Sequence, residues 1–204
     1  RLAHEIKNPL TPIQLSAERL RQKYLAKMAP GDAETLDRLT TTIVQQVETM
    51  KIMVNTFSDY ARMPAITQER TDLNALISAV VDLYRSAKTD VHFALSFDPE
   101  LPTISVDAGR LRQVFNNLIK NALEASGDRT GTTISITTRR PASEEGDHLE
   151  ISVTDQGDGI PPELISTLFE PYVTTKTRGT GLGLAIVKKI IEEHGGVVSM
   201  ENHE

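Results

Sequence analysis

Near the start of the chain a histidine, a carboxylate and an amide stand within about one helical turn of each other: His4, Glu5 and Asn8, followed by Pro9. A neutral imidazole nitrogen is a competent nucleophile toward phosphorus near neutral pH, whereas imidazolium is not. A neighbouring carboxylate can hold the ring and accept the proton released as a P–N bond forms. An amide one turn on both donates and accepts hydrogen bonds, so Asn8 can orient a water for the reverse hydrolysis. Pro9 lacks a backbone N–H and presses on the preceding turn, which bends the helix beside the histidine.

A second set of residues lies in the other half of the chain. Around Asn117, one helical face carries Leu111, Val114, Phe115, Leu118, Ala122 and Leu123, and the other Gln113, Asn117, Lys120, Asn121 and Glu124. Amides are costly to bury unpaired, so that stripe must meet water or a ligand. After the strand pattern Ile151 to Thr154 comes Asp155-Gln156-Gly157-Asp158-Gly159, a carboxylate at a strand end followed by glycines that let a backbone approach a ligand closely. Asp155 could accept a hydrogen bond from an exocyclic amine. Further on, Gly179-Thr180-Gly181-Leu182-Gly183 opens a helix, where free N–H groups and the helix dipole can meet phosphates. It is neither a Walker loop nor a dinucleotide-binding fingerprint.

Positioning these groups requires two kinds of element. The apolar series Ile6, Leu10, Ile13, Ala17, Leu20, Tyr24 advances by alternating four and three, as does Leu36, Thr40, Ile43, Val47, Met50, Val54, Phe57, Ala61. Each predicts a helix with a coiled-coil seam. The breaker Ala29-Pro30-Gly31 separates them, with Asp32 expected as N-cap. A hairpin with so narrow an apolar face is expected to pair with a second copy as a dimeric four-helix bundle. On the first helix, His4 falls about 160° to 200° from the seam and Leu15 within about 20° of His4, so both are expected to face solvent. Leu15 is read as part of a docking face for a partner.

Residues 63–71, with Pro64, read as a linker. Beyond it, helices are expected from Asp72 to about Ala87, from about Ala108 to Ala125, near Pro162 to Leu168, and from about Leu182 to His194. Strands are expected at Val91 to Phe97, near Ile104, at Thr132 to Arg139, Leu149 to Asp155 and Val197 to Met200. The mixture fits a two-layer α/β sandwich with a mixed sheet. The domain reading is 1–62 helical hairpin, 63–71 linker and 72–204 α/β domain.

The 204 residues are 39% apolar and 25% charged, as in folded globular proteins. A net charge of −6 without a basic block argues against nucleic acid or an anionic membrane surface as partner. The absence of cysteine excludes disulfides and thiolate metal sites. No run reaches the roughly 18 apolar residues of a membrane span. The first residue already lies in a helical pattern and the last follow a strand pattern, so a piece of a longer protein, truncated at its C-terminus, is expected.

The run His4-Glu5-Ile6-Lys7-Asn8-Pro9-Leu10-Thr11-Pro12 resembles the phosphoacceptor box of sensor histidine kinases. The region from Asp72 onward is similar to the ATP-binding fold shared by those kinases, gyrase-type topoisomerases, Hsp90-class chaperones and mismatch-repair ATPases. The resemblance implies His4 as phosphoacceptor, Glu5 as base and Asn8 as the amide that promotes dephosphorylation of a response regulator. It implies ATP and Mg²⁺, with Asn117 on the metal and Asn121 on the metal or phosphates. Asp155 goes to the adenine amine, and Gly157 and Gly159 to the adenine-side turn. Phe169-Glu170-Pro171-Tyr172 then begins a lid through Thr174, Thr175, Lys176 and Arg178, and Gly179, Thr180, Gly181, Leu182 and Gly183 close on the phosphates.

Members that hydrolyse ATP with an activated water carry glutamate where this chain has Gln113, and an amide cannot act as the base. Many histidine kinases place lysine at Glu124; Lys120, Lys176 and Arg178 are the cationic substitutes. With Phe57 to Pro64, Asn121 to Ala125 and Phe169 to Lys176 added, the chain looks like nitrogen-regulation sensor kinases of the NtrY type. That resemblance implies a homodimer, an NtrX-like response-regulator receiver domain as partner, and the cytoplasmic portion of an inner-membrane-anchored bacterial sensor. A water-activating ATPase, a serine kinase, or a dimerising module without catalysis are the alternatives.

Overall fold

A computed structural model describes residues 2–61, 65–87, 90–127, 129–141, 148–176 and 179–203; the side chains of residues 2–5, 56, 59–61 and 87 lie outside that description. The chain divides into two compact units, residues 1–64 with 174–182 and residues 65–173 with 183–204.

In the first unit, α1 (Leu2–Tyr24) and α2 (Pro30–Ala61) pack against each other, joined through a 3-10 turn at Leu25–Lys27. The expected hairpin is present. Asp32, expected as the cap, instead lies in the first turn of α2 because the helix already starts at Pro30. The fixed φ of proline suits the first helical position, and an acid in the first turn complements the dipole. Prolines 9 and 12 lie inside α1.

The seam splits into two heptad sets. Leu10 and Ala17 on α1, with Thr40 and Val47 on α2, are buried. The hydroxyl of Thr40 satisfies itself on the Leu36 carbonyl at 2.7 Å, so its burial leaves no orphan donor. Ile6, Ile13 and Leu20, and likewise Ile43, Met50 and Phe57, also repeat every seven residues, yet each is 42–51% exposed. One hairpin therefore covers only one of its two stripes. Arg21 pairs with Asp37 across the helices at 2.6 Å.

The second unit begins with β1 (Glu69–Thr71), which pairs antiparallel with β3 (Ile104–Val106). The linker expected over 63–71 thus ends in a strand; residues 62–64 lie outside the described residues. The main sheet has the order β2 (Val91–Phe97), β4 (Thr132–Arg139), β5 (Glu150–Thr154). β2 and β4 are parallel and β4 and β5 antiparallel, with Ile136 opposite Val153. Residues 142–147 of the β4–β5 loop lie outside the described residues.

Helices α3 (Leu73–Ala87), α4 (Ala108–Ser126) and α6 (Gly183–Glu193) form the second layer, with a short α5 at Pro162–Ile165. The core between layers is built from one side of each element. Thr132, Ile134, Ile136 and Thr138 are buried in strict alternation along β4. Against them stand Ile77, Val80 and Val81 of α3, Val114, Phe115 and Ile119 of α4, and Ile186, Val187 and Ile190 of α6. The expected mixed-sheet sandwich is what forms. Val197 to Met200, expected as a strand, has no ladder pairing among the described residues, and Val197 is 93% exposed. Alternation specifies a face for a strand but supplies no neighbour to pair with.

Candidate active site

Helix α4 is held at its start by Asp107. Its carboxylate accepts from the Arg110 N–H at 3.0 Å as N-cap and from the Thr67 N–H at 3.1 Å. These two backbone donors, Thr67 first, and the Arg110 charge hold the Asp107 carboxyl below its ordinary value against the opposing effect of burial. The Arg110 guanidinium, itself nearly buried, pairs with Asp107 and with Glu193 at the end of α6. The N–H of Asp107 donates to His194 Nε2 at 3.0 Å, and His194 Nδ1 lies 2.7 Å from the Ile190 carbonyl. His194 Nε2 is therefore an acceptor and Nδ1 carries the hydrogen. These contacts fasten α4 to α6 at one end of the pair.

Three turns along, the same two helices meet again. Asn117, half-buried, donates from Nδ2 to the carbonyl of Gly183 at 3.3 Å. On the neighbouring turn, Tyr84 of α3 donates to Asn116 Oδ1 at 3.1 Å, and burial raises its phenol above the ordinary value. The expected amide face is real: Gln113, Asn117 and Asn121 are half-buried, while Lys120 is exposed. Lys120 lies 3.9 Å from Glu124 one turn on. The glutamate found where lysine was expected thus sits beside the lysine four residues before it.

The turn after β5 is compact. Asp155, exposed, accepts the Gly157 N–H on Oδ1 at 2.8 Å. A Cβ on Gly157 would stand 2.7 Å from the Ala125 Cβ and 2.8 Å from that same carboxylate oxygen, so only glycine fits. Gly159 has φ of +75°, the left-handed region that favours glycine. The sequence singled out all three, and they share one turn beside α4.

The glycine-rich segment belongs by contact to the first unit as far as Leu182. There the Lys176 N–H donates to Thr174 Oγ1 at 3.1 Å, and Gly179 N–H to the Lys176 carbonyl at 3.1 Å. A Cβ at Gly179 would overlap Thr174 Oγ1, and Gly181 has φ of +64°. Thr174 and Thr175 are exposed, and Leu182 is buried with its N–H 3.4 Å from Thr180 Oγ1. Arg178 lies outside the described residues. Gly183 begins α6, an eleven-residue helix whose first N–H groups have no intrahelical partner.

His4 and Glu5 belong to α1, and their side chains lie outside the described residues. Asn8 and Leu15 are exposed, Leu15 as helical phase leads one to expect.

The donor set suits a nucleotide and a hard cation. With Nδ2 of Asn117 turned to Gly183, its Oδ1 is the remaining oxygen donor, the type Mg²⁺ prefers alongside phosphate oxygens and water. Among the described residues no group of three or more His, Cys, Asp or Glu could cage a metal. A metal here would rely on its nucleotide.

Residues 106–204 match the family model "Histidine kinase-, DNA gyrase B-, and HSP90-like ATPase", and residues 1–66 match "His Kinase A (phospho-acceptor) domain". A phosphoacceptor hairpin followed by this ATPase fold defines a class, and the chain belongs to it: it is a member of the sensor histidine kinases. Within that family it is similar to the nitrogen regulation protein NtrY of Azorhizobium caulinodans, 43% identical over 99% of this chain and 26% of the relative. The sensory histidine kinase/phosphatase NtrB of Rhizobium leguminosarum is 38% identical over 98% of this chain and 53% of its own. Among solved structures, histidine kinase ThkA in complex with response regulator protein TrrA superposes with a TM-score of 0.69 at 32% identity, covering all of this chain and 57% of that one. Full-length ShkA in complex with AMPPNP gives 0.64 at 28% identity over 95% of this chain and 40% of that one. The chain spans 26% and 33% of the length of the first curated relatives it matches.

Proposed function

We propose that this chain is the phosphotransfer core of a sensor kinase that moves the γ-phosphoryl group of ATP to His4 and then to an aspartate of a response-regulator receiver domain. The observation that carries this reading is the presence, in one family member, of a phosphoacceptor box at His4 to Pro12 and a second unit in which Asn117 of α4 meets Gly183 and the Asp155 to Gly159 turn lies against Ala125 at the end of the same helix.

In this reading the functional division is 1–62, 63–71 and 72–204. Asp155 accepts the adenine amine, with Gly157 and Gly159 giving the base room. Asn117 and Asn121 face the metal and phosphates, with Lys120 and Lys176 as the candidate cations. Thr174, Thr175, Gly179, Thr180, Gly181, Leu182 and Gly183 are the phosphate-contacting residues in this reading, and the N-terminus of a helix such as α6 favours an anion. Mg²⁺ on Asn117 Oδ1 would neutralise phosphate charge and hold the leaving group in line.

The imidazole nitrogen of His4 attacks the γ-phosphorus as the bond to the ADP oxygen breaks, and the ring proton passes to Glu5. A carboxylate oxygen of the receiver aspartate then attacks the phosphorus of phospho-His4 as the P–N bond breaks, and the proton held by Glu5 returns to the ring to give neutral imidazole. Asn8 orients water against the resulting acyl phosphate, which accounts for a phosphatase mode. With Gln113 in place of a base, attack on ATP by water is disfavoured.

A second copy is the natural cover for the exposed Ile6, Ile13, Leu20, Ile43, Met50 and Phe57 stripe, completing a four-helix bundle. Leu15 and the solvent side of α1 receive the regulator, for which an NtrX-like protein is the specific candidate. No helix among the described residues is long and apolar enough to cross a membrane; we assign this core to the cytoplasmic side of a membrane-anchored sensor.

The test is a chase. The protein is labelled from γ-labelled Mg·ATP, freed of nucleotide and mixed with a receiver domain. Label should pass to the receiver, and Leu15→Asp should slow the passage while leaving labelling of the kinase intact. Steady ATP turnover that survives His4→Gln would instead favour a water-activating ATPase.

A further inference from the structure

We infer that Asn202 and Arg129 are positioning residues for the nucleotide, acting by clamping the turn that carries Asp155; this rests on the nucleotide reading above. Neither residue stands near Asp155 in sequence, and neither belongs to the motifs already described. Both reach the turn from outside and grip its backbone.

Asn202 uses both ends of its amide on one residue. Its Oδ1 accepts the Ile160 N–H at 2.9 Å and its Nδ2 donates to the Ile160 carbonyl at 2.7 Å, the pairing a neighbouring strand would supply. The amide lies close to Gly159, where an added Cβ would come within 3.1 Å of Oδ1. The glycine therefore serves the clamp as well as its own left-handed φ. On the opposite flank, Arg129 Nη1 donates to the Gln156 carbonyl at 2.8 Å and Nη2 pairs with the Asp158 carboxylate. Gln156 in turn accepts the Thr133 N–H at 2.9 Å on Oε1, tying the turn to the start of β4.

The turn 155–160 is thus fastened at Gln156, Asp158 and Ile160, on both sides of the glycines. Among the described residues, the Asp155 carboxylate accepts one hydrogen bond, from the Gly157 N–H within its own turn. A carboxylate that must meet one exocyclic amine gains from having its turn fixed before the ligand arrives, because ordering it on binding would be charged against affinity. The clamp then acts on recognition of the base and leaves the phosphate end unchanged. That separates it from a general loss of stability.

The probes are ATP and inosine triphosphate, which lacks the exocyclic amine, titrated as their Mg²⁺ complexes by calorimetry. We expect wild type to prefer ATP. Asn202→Ala should weaken ATP about three- to tenfold, the range of one or two surface hydrogen bonds, while inosine triphosphate changes less than about twofold. Asn202→Asp, which keeps the acceptor for the Ile160 N–H, should fall between, and Arg129→Lys should shift the preference in the same direction. Equal weakening of both nucleotides, or no change in either, overturns the inference while leaving the nucleotide reading intact. Wild type that binds neither nucleotide overturns both.

Discussion

Asn117 and Gly183 join α4 and α6, the two helices of the proposed nucleotide site, through one side-chain hydrogen bond, Nδ2 to carbonyl at 3.3 Å. That contact fixes which end of the amide remains for a ligand. It also places the N-terminus of α6 beside the oxygen that a divalent cation would use. Asn117→Ala removes the oxygen and the helix tie together, and a lost metal contact in phosphoryl transfer amounts to several kcal/mol. Autophosphorylation should fall at least about a hundredfold, with no Mg²⁺-dependent ATP binding by titration; retention of both would remove Asn117 from the site.

Glycine at position 157 is required by space and at position 131 by conformation, and the two should behave differently. A Cβ at 157 meets Ala125 and the Asp155 carboxylate, whereas Gly131 has φ of +74° with nothing within 4 Å of an added Cβ. Gly157→Ala should cost about 1–3 kcal/mol from overpacking and weaken ATP sharply. Gly131→Ala should cost about 1–2 kcal/mol and leave ATP affinity unchanged. Denaturant melts and calorimetry on the pair check this.

Much of the fold was legible because it is periodic. The three-four steps of the two seams locate both helices, although only the heptad set Leu10, Ala17, Thr40 and Val47 is buried within the hairpin, the alternation of Ile134 and Ile136 reports burial directly, and motif residues such as Asp155 and Gly157 lie within a few positions of each other. What was not legible is long-range and polar. Asn202 meets Ile160 and Arg129 meets Gln156 through single side chains that leave no period, and Val197 to Met200 has strand alternation without a partner. Asp107 is an intermediate case. A carboxylate directly before Ala108 is a readable N-cap signal, but its contact with Thr67 is not.

The depressed Asp107 carboxyl gives a pH signature. A carboxylate whose folded value lies below its unfolded one contributes stability above the unfolded value, near pH 4, and that contribution is lost as pH falls through the folded value. Wild-type unfolding free energy should therefore decline on acidification below about pH 4. Asp107→Asn should be less stable at pH 7 and show a shallower decline. Parallel acid limbs for the two proteins in urea unfolding would contradict the assignment.

The two stripes of the hairpin seam should separate folding from assembly. Ile43 is 42% exposed, whereas Val47, one turn on, is 4% exposed. Ile43→Glu should leave the helical circular dichroism intact and shift sedimentation from dimer to monomer. Val47→Glu buries a charge inside the hairpin and should unfold it. A wild-type monomer at tens of micromolar would remove the basis for the four-helix bundle.

The most direct measurement is the chemistry of the phosphate itself. After incubation with γ-labelled Mg·ATP, the protein should carry label that is lost in acid and kept in base, as a P–N bond requires, and His4→Gln should carry none. Acid-stable label, or label undiminished in His4→Gln, would contradict the account.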